Sequence, residues 1–164
     1  MSVPAPEQEA AARLRAEFDA SFAVPPPEPS RDLVPLLLLR AGGQRLAARL
    51  QAVRGLVRLG AVTPVPSRRP EFLGIAGLRG EILPVFQLGR LLGLAAGGAP
   101  RWMVLAGAER VGLAFDDFDG YVQVAPSDLQ PAAGGGPLPE VARLPDRPAP
   151  VLDLAHLLQA LGGR

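Results

Sequence analysis

Beyond Leu33 the apolar residues come in short runs, and glycine-containing breaks punctuate them at Gly42-Gly43, Arg79-Gly80, Gly107-Ala108-Glu109 and Asp119-Gly120. Reversals that close together leave room for short strands and none for long helices, which predicts a series of antiparallel hairpins. Leu36–Arg40 and Arg45–Leu50 read as one hairpin around Ala41-Gly42-Gly43-Gln44. Gly74–Leu78 and Glu81–Phe86 read as a second around Arg79-Gly80. Trp102–Ala106 and Val111–Phe115 form a third, followed by Tyr121–Val124 after an acidic turn at residues 116–120, and by short strands at Val141–Leu144 and Pro150–Leu152. Between the first two hairpins, Thr63-Pro64-Val65-Pro66 is held extended by its prolines.

Helical spacing is confined to a few places. Leu14, Phe18 and Phe22 fall four apart within residues 7–23, and Pro25-Pro26-Pro27 cannot continue that helix. Residues 1–32 therefore read as a helical extension with a proline-rich linker, and residues 33–164 as the folded body. The apolar stripe of the extension has two readings, docking on the body or on a partner. Leu88, Leu91 and Leu92 give a short helix ended by Gly93, and Asp153–Leu161 gives a closing helix with Asp153 as N-cap. The two segments match each other: PVFQLGRLLG at residues 84–93 and PVLDLAHLLQALG at residues 150–162 share Pro-Val, an apolar and a polar residue, Leu, then Leu-Leu. That similarity suggests two β-rich halves, each closed by a short helix.

The residue types exclude much chemistry. With no Cys and a single His, disulfides, thiol catalysis and a multi-histidine metal cage are ruled out. His156 lies in the closing leucine-rich helix, where a surface histidine is the simpler reading. No Lys is present to complete a phosphate-binding loop at either glycine cluster. Asp116–Gly120 resembles half a calcium loop, but in register its first and twelfth positions are Phe115 and Pro126, so the carboxylates fail. No cofactor and no catalytic residue is expected. Apolar runs such as Leu36–Leu39 fall far short of the ~20 residues that span a bilayer, and no signal peptide is evident. A cytoplasmic protein without membrane insertion is expected.

Charge is unevenly placed. The total is +1, yet residues 33–110 sum to +8 and residues 111–153 to −5, and seven arginines with no acid lie between Leu33 and Pro70. Arginine clusters can bind nucleic acid, which makes an arginine-rich β-barrel module for DNA or RNA the alternative function. Aromatic residues are only 5% and do not interleave along any strand, which disfavours it. An acidic protein surface is the other complement.

Gly74-Ile-Ala-Gly-Leu-Arg-Gly-Glu-Ile-Leu-Pro-Val-Phe86 resembles the signature of the CheW family of chemotaxis coupling proteins. Val62-Thr-Pro-Val-Pro66, Arg110-Val-Gly-Leu-Ala-Phe-Asp116, Pro126-Ser-Asp-Leu129 and Val151-Leu-Asp-Leu-Ala-His-Leu-Leu158 resemble its other segments in the same order, over Leu36 to Leu161. The resemblance implies a mainly β fold of two SH3-like β-barrel subdomains sharing a hydrophobic seam. It implies a non-enzymatic adaptor that couples the cytoplasmic tips of methyl-accepting chemotaxis receptors to the regulatory domain of a CheA-type histidine kinase, at the periphery of receptor arrays.

The residues expected to bind partners are Val53, Leu56 and Val57, spaced for one helical face, and Leu78, Arg79 and Gly80 at the second turn. Core packing is the competing reading for the first three. Arg79, bracketed by Gly77 and Gly80, could clamp a carboxylate within the fold or on a partner. Three positions depart from the family pattern: Gly55 replaces an acid, Gly77 an Asn and Gln87 an Asp.

Overall fold

The computed structural model describes Arg13 and residues 32–95, 97–108 and 110–162. The chain divides into two units, Met1–Asp32 and Leu33–Arg164. The helix expected at residues 7–23 and its proline linker lie outside the described residues.

The body holds strands β1 (Val34–Ala41), β2 (Gln44–Arg49), β3 (Val53–Arg58), β4 (Val62–Thr63), β5 (Phe72–Leu78) and β6 (Glu81–Gln87). Helix α1 (Leu88–Leu91) follows, then β7 (Trp102–Ala106), β8 (Val111–Phe115), β9 (Asp117–Val124), β10 (Leu129–Pro131), β11 (Glu140–Ala142), β12 (Ala149–Leu152) and helix α2 (Leu154–Gly162). Two six-stranded sheets result. One has the order β10-β11-β12-β2-β1-β9, the other β3-β7-β8-β6-β5-β4. The mainly β, two-subdomain architecture is the one expected. No helix among the described residues is long and apolar enough to cross a membrane.

The subdomains are nested rather than sequential, which corrects the expectation of two successive halves. Both ends of the body build the first sheet, and residues 53–115 build the second. The cause is the parallel pairing of β12 with β2, Val151 opposite Ala47. Parallel neighbours need a long crossover connection, and the whole second sheet supplies it.

β1 explains why four leucines stand in a row. Leu36 and Leu38 enter a core with Ala47, Val124 and Val151, while Leu37 and Leu39 face the opposite side and join Phe86, Leu113 and Phe115 between the sheets. A strand buried on both faces loses polar alternation. The internal repeat is real in space: β6 leads into α1 and pairs parallel with β8, as β12 leads into α2 and pairs parallel with β2. Leu88 of one copy and Leu154 and Leu157 of the other are buried in the shared central cluster. At the start of α2 the Asp153 carboxylate accepts the His156 backbone N–H at 3.0 Å, so Asp153 caps as expected and His156 is exposed.

Two local expectations are corrected. β3 is a strand, not a helical turn. A bulge between Val53 and Gly55 inserts one residue, so Val53 and Leu56 come to share a face although they are three apart. The acidic segment is not a free turn either, because β9 begins at Asp117. A register shift between Leu38 and Leu39 leaves Asp119 as the extra residue of β9.

That placement bears on charge. Arg40 donates to Asp119 at 2.9 Å, Arg49 to Glu140 at 2.6 Å and Arg101 to Asp117 at 2.6 Å, while Arg45 pairs with Asp146. Sheet pairing thus folds the basic segment onto the acidic one, and much of the sequence's dipole is neutralised internally. The Arg45 guanidinium, helped by the Arg147 backbone N–H, holds Asp146 below its usual carboxylate range. A depressed pKa contributes stability that is present above the ordinary Asp value of about 3.9 and is lost as pH falls through the folded value. Asp146→Asn should therefore flatten the acid limb of a Tm-against-pH curve slightly and leave Tm at pH 7 within a few degrees. An unchanged acid limb would show that the pair does not persist in solution.

Candidate partner-binding groove

At one end of the second sheet the β5–β6 and β7–β8 turns lie beside β3 and enclose a groove of about 400 Å³. Leu78, Leu83 and Leu105 give its apolar surface, and Arg54, Arg79, Arg110 and Glu81 its charge. Each element brings its residue for a local reason. Leu78 pairs with Glu81 across a two-residue turn made by Arg79 and Gly80 alone. Their φ values of 51° and 81° make it the reversed turn that right-twisted hairpins prefer. The bulge in β3 turns Arg54 outward, where it is exposed.

The backbone at this groove is under strain. Among the described residues only Arg79 and Arg110 are non-glycine residues with positive φ, both at 51°, and both line the groove. An L-residue there costs about 1–2 kcal/mol where Gly would cost nothing. Non-Gly residues held in such conformations cluster at functional sites. Glycine could have closed the same turns without that cost, and each carries a long cation instead.

Arg79 is exposed and has no acid within ion-pair distance among the described residues; Arg54 likewise has none. Arg110 pairs with Glu81, both more than half exposed, a pairing worth little in water. Several other arginines of residues 33–110 are committed elsewhere. Arg58 covers the Trp102 ring at 5.2 Å, Arg69 donates to the Leu161 carbonyl at 3.2 Å and Arg90 to the Pro70 carbonyl at 2.7 Å. Among the described residues, Arg54 and Arg79 thus place two unpaired guanidinium groups beside the groove's leucines.

The six residues expected to bind partners do not form one patch. Leu78 and Arg79 line the groove and Gly80 completes their turn, whereas Val53 and Leu56 pack on the central core between the sheets. Val57 packs on the other side of β3, against the core of Leu83, Val85 and Met103. Their spacing was correct as a pattern, but it described a bulged strand. Arg54, Leu105 and Arg110 were missed. Arg110 follows the Gly107 turn, which is the one local signal that could have marked it. The bracketing by Gly77 is also corrected: its φ is ordinary, and a Cβ there would meet nothing within 4 Å. At Gly55, by contrast, a Cβ would stand 3.2 Å from Leu105 Cδ1 on the groove wall. Gln87 is buried and leaves α1 without a side-chain cap.

Comparison with known proteins agrees with this architecture. The model of the CheW-like domain matches residues 35–162. The chain is 30% identical over 100 residues to the chemotaxis protein CheW of Rhizobium meliloti (strain 1021), covering 58% of this chain and 64% of that protein. It is 34% identical over 102 residues to protein FrzA of Myxococcus xanthus, covering 59% and 63%. The chain thus spans less than two thirds of the length of either relative. The crystal structure of the scaffolding protein TtCheW from Thermoanaerobacter tengcongensis superposes with a TM-score of 0.72 at 18% identity, covering 80% of this chain and 96% of that one. A family model spanning almost the whole body assigns the chain to the CheW-like domain family.

Proposed function

We propose that this protein is a non-catalytic scaffold of chemotaxis-type signalling, coupling the cytoplasmic tips of methyl-accepting receptors to the regulatory domain of a CheA-type histidine kinase. The groove at Arg54, Leu78, Arg79 and Leu105 is its docking surface, with Gly80 holding the turn. The observation that carries the reading is the pair of strained arginines, Arg79 and Arg110, beside the half-buried Leu78 and Leu105. An apolar anchor next to uncommitted guanidinium groups suits a partner with an apolar side chain flanked by carboxylates. Val53, Leu56 and Val57 act behind the groove, by fixing β3, and not as contacts. A location at the cytoplasmic face of receptor arrays follows from those partners.

Nucleic-acid binding is the weaker reading, because the pairs of Arg40, Arg45, Arg49 and Arg101 with acids leave no continuous basic stripe. Calorimetry of the full chain against the cognate kinase regulatory domain, and against duplex DNA, each across a salt series, separates the two. Saturable kinase-domain binding with a shallow salt dependence is expected. A steep salt slope on DNA with no kinase binding would overturn the adaptor reading.

A further inference from the structure

We propose a second site, on the first sheet, that binds a phosphate-class oxyanion. A small polar cavity of about 150 Å³ lies between the β1–β2 turn and the β11–β12 loop, lined by Arg40, Gly43, Arg45, Asp146 and Arg147. It belongs to the other subdomain from the groove and does not depend on the groove's role.

The hairpin register creates the site. Arg40 and Arg45 are directly opposed cross-strand partners, a like-charge pairing that costs stability unless an anion bridges it. Asp119 does so in part. Its Oδ2 accepts from Arg40 Nε at 2.9 Å and lies 3.6 Å from Arg45 Nε, beyond hydrogen-bond reach. Arg45 Nε is accordingly the one buried side-chain donor or acceptor among the described residues left without a partner. Asp146 takes the Nη1 end of the same guanidinium.

Arg147 adds a third guanidinium and has no acid within ion-pair distance among the described residues. The Gly43 N–H at the rim is held only by a long 3.4 Å bond to Asp116. Three guanidinium groups and one carboxylate, Asp146, line the concave, polar-walled space, while Asp119 is bound to Arg40 and Asp116 to the Gly43 N–H. A planar carboxylate can satisfy one arginine fork face to face. Forks approaching from β1, β2 and the β11–β12 loop suit a tetrahedral anion, whose oxygens can be shared among all three. The ligand is therefore inorganic phosphate or a phosphomonoester, with the same chemistry recognised in either.

The test is a titration of the full chain at pH 7.5 and low chloride with inorganic phosphate and with phenyl phosphate, read by calorimetry and by ³¹P line broadening. Saturable binding near about 1 mM is expected, the affinity that a few charge-assisted contacts support. Arg147→Ala should weaken it at least several-fold without lowering the ligand-free Tm, and Asp146→Asn should tighten it by removing a competing carboxylate. Tighter binding of phenyl phosphate assigns the site to phosphorylated macromolecules, and equal or tighter binding of inorganic phosphate assigns it to the free anion. The proposal is overturned if no saturation is seen at about 10 mM, well above that affinity. It is equally overturned if Arg147→Ala binds like the parent, or if Arg79→Ala in the groove weakens binding as much.

Discussion

Gly74→Ala should unfold the second sheet or lower its stability by about 3–5 kcal/mol, the range of severe backbone clashes. Gly74 lies in β5 at φ 139°, a conformation open to glycine alone. A Cβ there would overlap the Thr63 carbonyl, with the carbonyl carbon at 2.8 Å and the Pro64 Cα at 3.0 Å. Those atoms are backbone in the proline-flanked β4 segment, so no side chain can rotate away. The expected fall in Tm is about 10–20 °C for a body of this size. Gly77→Asn is the control, since it lies three residues along the same strand with open space around its Cβ. It should stay within about 0.5 kcal/mol of the parent, as exposed substitutions do. Parental stability in Gly74→Ala, measured by thermal and urea unfolding, would show that β4 does not sit against β5 as described.

Replacing Arg79 separates folding from binding. Arg79→Glu reverses the charge of an uncommitted rim cation and should weaken kinase-domain binding by about 2–4 kcal/mol, or roughly 30-fold to 1,000-fold. Arg79→Asn removes the same cation but tolerates the left-handed backbone. It should hold or raise Tm by a few degrees while costing about tenfold in affinity, near 1.4 kcal/mol. If both variants bind like the parent, the groove is not the docking surface, whatever else the chain does. If Arg79→Asn instead unfolds the protein, Arg79 is a stability residue and the strain at its φ is compensated within the fold.

Much of the fold was legible because glycine turns and apolar runs act locally. The Ala41–Gln44 and Arg79-Gly80 turns, the β7–β8 hairpin, both short helices and the Asp153 cap all lie where local chemistry put them. β3 was not legible. Val53, Leu56 and Val57 match a helical period, and nothing local distinguishes that from a strand whose bulge shifts the alternation by one residue. The bulge exists because β3 must keep register with β7, from Val53 opposite Ala106 to Arg58 opposite Trp102. The acidic segment failed for the same kind of reason: Asp117 and Asp119 became strand residues because β1 was available to pair with them. Half of the site was visible as Leu78-Arg79-Gly80. The rest, Arg54 on β3 and Leu105 and Arg110 on the β7–β8 hairpin, comes from segments distant in sequence from that turn.

Local sequence alone determined where the chain turns, that its body is β-rich, that thiol and multi-histidine chemistry are closed to it, and that residues 84–93 and 150–162 repeat one strand–helix unit. These follow from steric limits on backbone dihedrals and from which side chains exist, so they need no partner segment. The nesting of one subdomain within the other, and the fate of the arginines, were decided only by tertiary structure. Both depend on which strands find each other. Parallel pairing of β12 with β2 draws the end of the body back to its beginning, and the surrounding sheet carries acids onto Arg40, Arg45 and Arg49. Coulombic pairing acts through space at a few ångströms, so a charge pattern read along the chain cannot say which cations remain free.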